Sequence, residues 1–245
     1  MIVTNLIRDA LNRRLHDRGY SLRWRPPQIA GRELATTFDL LASHLMLTVA
    51  QPYCVGIGAN DGVTHDPLHP FIRDHGWRGV MVEPMPDAFE ALRRNYTSLP
   101  HIELVQAAIG VNDGTATLYA AEVTDAQSLR MSLHASFDRD VLLRARQWYP
   151  DIEERIVPRE VPVLRLDTLL ARLGRQHVDV LKIDTEGYDL EILRTVDLTV
   201  VKPRLVLAEH AHLPRASKVE MADRLLAAGF RVSMTDLDML GYRSH

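Results

Sequence analysis

Hydrophobic and polar positions follow two alternating rhythms along this chain. Short apolar runs rich in Val, Ile and Leu recur at Tyr53–Ile57, Gly79–Glu83, Glu103–Ala107, Val178–Ile183, Arg204–Glu209, Phe230–Met234 and Met239–Tyr242. Runs of that length and composition predict strands buried on both faces. Between several of them the period lengthens to that of a half-buried helix, over Asp87–Asn95, Leu166–Leu173, Asp189–Thr195 and Ala216–Ala228. Strands alternating with helices predict an α/β fold, with a largely parallel sheet covered on both faces. Ligands of such sheets sit beyond the carboxyl ends of the strands, near the point where strand order reverses. The residues that follow each strand therefore carry the functional weight.

The first fifty residues are patterned differently. Val3, Leu6, Ile7, Ala10, Leu11 and Leu15 fall on one helical face, with Arg8, Arg13, Arg14 and Arg18 mostly off it. Arg25-Pro26-Pro27 ends that pattern, and a second helix is expected from Glu33 to Thr48, striped by Leu34, Phe38, Leu41 and Leu45. Residues 1–50 thus read as an N-terminal helical extension and 51–245 as the main domain. The extension is expected to pack on that domain or on a second subunit, so a homodimer is one expectation. Within the main domain, residues 114–160 interrupt the alternation. A strand over Thr115–Tyr119 leads into a polar stretch and then a helix carrying Trp148 and Tyr149. An insert of this length at the ligand edge is expected to bind a substrate.

Composition narrows the partners. Of 245 residues, 46% are hydrophobic and 25% charged, an ordinary folded balance. Net charge is −3 with the signs interspersed, so no basic face invites nucleic acid and a neutral ligand fits better. The lone cysteine, Cys54, lies within a strand and has no internal disulfide partner. No apolar run approaches the ~20 residues of a membrane span. The opening MIVTNLIRDALNRR lacks the apolar core and cleavage site of a signal peptide, and cytoplasmic residence is expected. Asn95-Tyr96-Thr97 matches a glycosylation acceptor pattern and, with no export signal, is read as coincidence.

Chemistry concentrates after four strands. Gly56, Gly58 and Gly62 have the spacing G-x-G-x-x-x-G, where tight turning and close ligand approach demand glycine. The nicotinamide fingerprint is one residue shorter, and the added spacing with Asn60 and Asp61 favours a methyltransferase. Glu83 closes the second strand, where a carboxylate can accept ribose hydroxyls in either family. Gln106, Ala107 and Ala108 end the third and leave room for a flat purine. Asp184, Glu186 and Asp189 open a helix directly after a strand. Helix capping explains such carboxylates, and so does a reacting oxygen cluster. Lys182, inside that strand, needs a carboxylate partner wherever it is buried. Glu209-His210-Ala211-His212 comes to the same edge, and its histidines are candidate bases or metal ligands. His65 and His69 follow the glycine turn as weaker candidates.

These residues resemble the FkbM family of methyltransferases from about Tyr53 to Leu213. Lys182, Ile183, Asp184, Glu186 and Gly187 match its K-I-D-x-E-G block, and IGANDGV matches its glycine turn at Gly58, Ala59, Asn60 and Gly62. Glu83-Pro84, the RLDTLL around Asp167 and PRLVLAEH ending at Glu209-His210 add further matches. Gly56 departs from the family, which usually has an acidic residue there. The resemblance implies a Rossmann-like class I methyltransferase fold with a seven-stranded, mostly parallel sheet. It also implies S-adenosylmethionine as methyl donor and O-methylation of a hydroxyl.

The expected cofactor residues are Gly56, Gly58, Asn60, Asp61, Glu83, Gln106 and Ala107. Asp184, Glu186 and His210 are the expected catalytic groups, with Asp184 and Glu209 as ligands if Mg2+ takes part. The acceptor expected is a sugar, oligosaccharide or glycolipid precursor. A non-sugar natural product, a non-catalytic cofactor-binding subunit and a nicotinamide dehydrogenase are the alternatives. The last lacks a Tyr-x-x-x-Lys pair.

Overall fold

The computed structural model describes residues 36–122, 135–147 and 149–243. The N-terminal helix, the Arg25-Pro26-Pro27 break and Trp148 lie outside them, as does the start of the second expected helix. The chain divides between Thr37 and Phe38, and everything below concerns the unit from Phe38 to His245. Its order is α1 (Thr37–Leu45), β1 (Tyr53–Ile57), α2 (His69–His75), β2 (Arg78–Val82), α3 (Pro86–Asn95) and β3 (Ile102–Val105). Next come β4 (Ala108–Ile109), β5 (Gly114–Ala121), β6 (Ala135–Ser136), α4 (Arg139–Leu143), α5 (Ile152–Arg155), β7 (Ile156–Leu164) and α6 (Leu166–Arg172). The chain closes with β8 (Val180–Ile183), α7 (Asp189–Thr195), α8 (Leu198–Val201), β9 (Leu205–Glu209), α9 (Arg215–Ala227), β10 (Arg231–Met234) and β11 (Asp238–Tyr242).

Among the described residues the main sheet has seven strands in the order β10-β11-β9-β8-β1-β2-β3. Pairing is parallel from β9 to β3, and β11 runs antiparallel to both neighbours. Strand order reverses between β1 and β8, so their carboxyl ends flank the crevice where ligands bind.

Side-chain alternation sorts each strand onto two faces. Val55 and Ile57, Val80 and Val82, Leu181 and Ile183, and Val206 and Ala208 form one core with Leu169, Ile192 and Met221 of the covering helices. Cys54, Met81, Val180, Leu205 and Leu207 face the other side, against Phe38 and Ala42 of α1, Phe71 and Ile72 of α2, and Leu92 of α3. Fully buried strands need apolar residues at every position, which is why these segments read as continuous runs.

A second sheet, β4-β7-β5-β6, departs from expectation. Strand β5 pairs antiparallel with β7 along its length, from Gly114 opposite Val163 to Ala121 opposite Ile156. The two ends of the 114–160 insert therefore pair with each other as a long antiparallel ladder. Strand β7 has no signature in sequence because Pro158 and Pro162 interrupt it. Prolines suit a strand only where the nitrogen faces away from the ladder, and these two share one phase of the pairing with Tyr119 and Thr115. Helix α2 also went unforeseen, since seven residues are too few to show a period.

Helix α3 secures the loop after β1. Tyr96 donates its hydroxyl to the Gly62 carbonyl at 2.9 Å, and the Asn95 side-chain amide donates to the Asp61 carbonyl at 2.8 Å. Among the described residues, no helix is long and apolar enough to cross a membrane. Tyr96→Phe orphans the buried Gly62 carbonyl and should cost about 1–3 kcal/mol of stability in urea unfolding. A change below ~0.3 kcal/mol would show that the loop is held by other means.

Candidate functional site

The turn after β1 is shaped by how closely two strand ends approach. Gly58 has φ +72°, and a Cβ built on it would lie 1.7 Å from the Asp184 carbonyl oxygen. Its N–H and that of Ala59 donate to the Val82 carbonyl, each at 3.0 Å. Asn60, itself at φ 51°, donates its backbone N–H to Glu83 Oε2 at 2.8 Å. The Met85 N–H donates to Glu83 Oε1 at the same 2.8 Å. Glu83 is only 6% exposed. Burial pushes its carboxyl up to about 7, and the two N–H bonds oppose that rise. Each carboxylate oxygen keeps a lone pair for a further donor.

Across the seam, Lys182 rises from the floor. Its Nζ lies 3.2 Å from Asp184 Oδ2 and donates to the Gly58 carbonyl at 3.4 Å. Burial pulls this ammonium down, but the Asp66 and Asp184 carboxylates outweigh it and hold the proton more tightly than usual. The sequence-level demand for a carboxylate partner is met. Asp189 is fully buried and accepts from the Thr185 N–H, the Thr185 hydroxyl and the Gly187 N–H. It caps its own loop. Burial and then the Asp184 charge push it up to about 7.

Glu186 sits in the left-handed region at φ 53°, where a side chain other than glycine is strained and the surroundings must enforce it. The insert supplies that enforcement. Ser136 donates its hydroxyl to the Glu186 carbonyl at 2.8 Å, and the rings of Phe137 and Tyr188 are 4.5 Å apart. Arg144 donates to the His212 carbonyl at 2.7 Å. Glu186 Oε2 in turn lies 2.8 Å from His212 Nε2, with Glu209 Oε1 3.6 Å from the same nitrogen. Burial first, then the charges of Glu186 and Asp184, push Glu209 up to about 10. Ligand atoms of Glu186, Glu209 and His212 fall within 4.8 Å of one another, a spacing that suits a metal ion.

These ends border a cleft that is partly open to solvent. Gly58, Asn60, Glu83, Ala107, Asp184 and Glu186 line it. Leu118, Ala135 and Phe137 bring the insert to the same cleft.

A model of the methyltransferase FkbM domain matches residues 56–232, most of the chain. The chain belongs to the FkbM methyltransferase family. A methyltransferase FkbM from Methylobacillus flagellatus is 14% identical, with TM-score 0.50 over 79% of this chain and 44% of that one. This FkbM protein thus spans less than half the length of that relative. A precorrin-6y C5,15-methyltransferase from Geobacter metallireducens is 10% identical, TM-score 0.42, covering 86% of this chain and 90% of its own. A methyltransferase from Geobacter sulfurreducens is 15% identical, TM-score 0.43, covering 86% and 80%. No curated protein matches the sequence. The family and fold together establish a class I methyltransferase architecture.

Several expected residues do not reach the cleft. Gly56 lies inside β1, between Met81 and Lys182 in register. A Cβ there would lie 2.7 Å from Met81 Sδ, so its smallness serves packing rather than a ligand. Asp61 caps the following turn, accepting from the Val63 and Thr64 N–H groups and the Thr64 hydroxyl. Gln106 is exposed, outside the cleft lining. His210 is 3% exposed and also stands outside that lining; His212 is the histidine that meets Glu186. The ligand-like set contains Glu209 but not Asp184, which Lys182 engages instead. Asp66, lining the cleft and 7% exposed, was missed because a polar loop carries no periodic signal.

Glu83 and Asp189 both bind their protons more tightly folded than unfolded. Their stabilising contribution is complete below the ordinary carboxyl range, near pH 4, and is lost as pH rises through about 7. Each tenfold change in proton affinity is worth about 1.4 kcal/mol. The ligand-free protein should therefore lose a few kcal/mol between pH 5 and 8. Urea midpoints that stay flat or rise over that range would contradict the burial of ionised carboxylates.

Proposed function

We propose that this FkbM-family protein is an S-adenosylmethionine-dependent O-methyltransferase acting on a carbohydrate hydroxyl. One observation carries the reading: Gly58, Glu83, Asp184 and Glu186 line a single cleft at the point where strand order reverses. Gly58 lets backbone meet ligand without a Cβ, and Glu83 offers lone pairs for a ribose diol. Ala107, Ala108 and Ile109 line the cleft with apolar side chains of a kind that suits a purine. Bound there, S-adenosylmethionine supplies a sulfonium methyl already activated for transfer.

The chain's own work is to align an acceptor oxygen, exclude water and remove a proton. Glu186 and His212 form the pair that takes the hydroxyl proton, with Glu209 beside them. Asp184, tied to Lys182, orients the acceptor. Glu186, Glu209 and His212 would equally hold a divalent cation, which supplies Lewis acidity toward the hydroxyl when bound. A histidine in the set suits a transition metal better than magnesium. Phe137, half-buried at the cleft, offers an aromatic face of the kind that packs on a sugar ring.

S-adenosylhomocysteine should bind in calorimetry while NAD gives no heat, and Glu83→Ala should weaken the former at least about tenfold. NAD binding without the sulfur nucleoside would overturn the choice of chemistry. With labelled methyl donor and a carbohydrate panel, Glu186→Gln should lower kcat/KM by roughly 10²–10⁴. Its S-adenosylhomocysteine affinity should stay within about threefold of the unmutated protein, because Glu186 is assigned to the acceptor side. Loss of turnover on chelation, restored by added metal, would assign Glu186, Glu209 and His212 as ligands.

A further inference from the structure

Glu186 and His212 belong to different loops. The first follows β8 and the second follows β9, the neighbouring strand, yet Glu186 Oε2 and His212 Nε2 lie 2.8 Å apart. Within its own loop, Asp189 accepts from the Thr185 and Gly187 N–H groups and so fixes the residues on either side of Glu186. The Glu186 carbonyl is held from outside, by the Ser136 hydroxyl at 2.8 Å. A residue at φ 53° persists only where its neighbours impose that conformation.

Contacts from one short stretch of the insert, residues 136–144, converge on this corner. Ser136 is 1% exposed and engaged in both senses, donating to Glu186 and accepting the Asp138 N–H at 3.1 Å. Arg144, just past the other end of α4, donates to the His212 carbonyl at 2.7 Å. Between them Val141 lies against Gly187, where a Cβ would come 3.2 Å from Val141 Cγ2 and 3.5 Å from His212 Cβ. The insert therefore grips the backbone of both members of the pair, one from each side of α4. Neither Ser136 nor Arg144 lines the cleft, so each reaches the chemistry only through a carbonyl it holds.

We propose that Ser136 and Arg144 are positioning residues, through which the insert sets the distance between Glu186 and His212. The inference rests on that pair acting on the acceptor hydroxyl, whether it takes the proton or holds a cation.

Transfer of labelled methyl to the best acceptor of a carbohydrate panel tests it in the full chain. Ser136→Ala removes the tie to Glu186, and Arg144→Ala removes the tie to His212 from an exposed position that spares the core. Each should lower kcat roughly 10- to 100-fold, the scale of a displaced reacting group. Acceptor KM and S-adenosylhomocysteine affinity should stay within about threefold. Arg146→Ala, which breaks a pairing with Glu153 inside the insert, should leave kcat within about twofold. In a Glu186→Gln background each of the two changes should cost less than about threefold, because the group it positions no longer acts. Losses that multiply in the double variants would overturn the assignment while Glu186 keeps its role. So would unchanged kcat in either single variant, or a raised KM in place of a lowered kcat. A Glu186→Gln protein as active as the unmutated one would instead overturn the reading of Glu186, and the positioning role with it. Absence of transfer to every acceptor would overturn the proposed function and this inference together.

Discussion

The seam between β1 and β8 is the constraint on which the site depends. Gly58 and Asp184 are in backbone contact, with the Asp184 N–H donating to the Ile57 carbonyl at 3.0 Å and no room for a Cβ on Gly58. That contact sets the spacing between the glycine turn and the acidic loop after β8. Lys182 reinforces it from below by reaching both sides, to the Gly58 carbonyl and the Asp184 carboxylate. A larger residue at 58 would part the strands and with them the two halves of the cleft.

Around this seam, carboxylates are held at very different states of charge. Surface acids such as Asp167 and Glu220 are paired with arginines and sit below the ordinary range. Glu83, Asp189 and Glu209, taken out of water, are pushed above it. A site with negative groups packed this closely is tolerable only if protons, the Lys182 ammonium, or cationic ligands relieve it. Its charge balance favours a positively charged guest.

Most strands were legible because each must be apolar on both faces, and Tyr53–Ile57 fell where the pattern put it. Gly58, Glu83, Asp184 and Glu186 were legible for a related reason: a parallel sheet announces its ligand edge by where each apolar run stops. Gly56, Asp61 and His210 stand outside the cleft lining, because their place in strand or turn phase sends them elsewhere. Asp61 and Asp66 look alike in sequence, but the first is spent on capping a turn and the second faces the cleft. Strand β7 was hidden by prolines whose compatibility depends on partners 39 and 47 residues away (Tyr119 for Pro158, Thr115 for Pro162), a relation no local window contains.

The hairpin of β5 and β7 brings the two ends of the insert together, with Ala121 opposite Ile156. The chain that leaves the β5–β7 ladder at Ala121 therefore re-enters it at Ile156, directly opposite. Such a module can be lengthened, shortened or rewritten across evolution while the main sheet stays fixed. Diversity in what such a scaffold modifies is accordingly easier to acquire than diversity in how it does so.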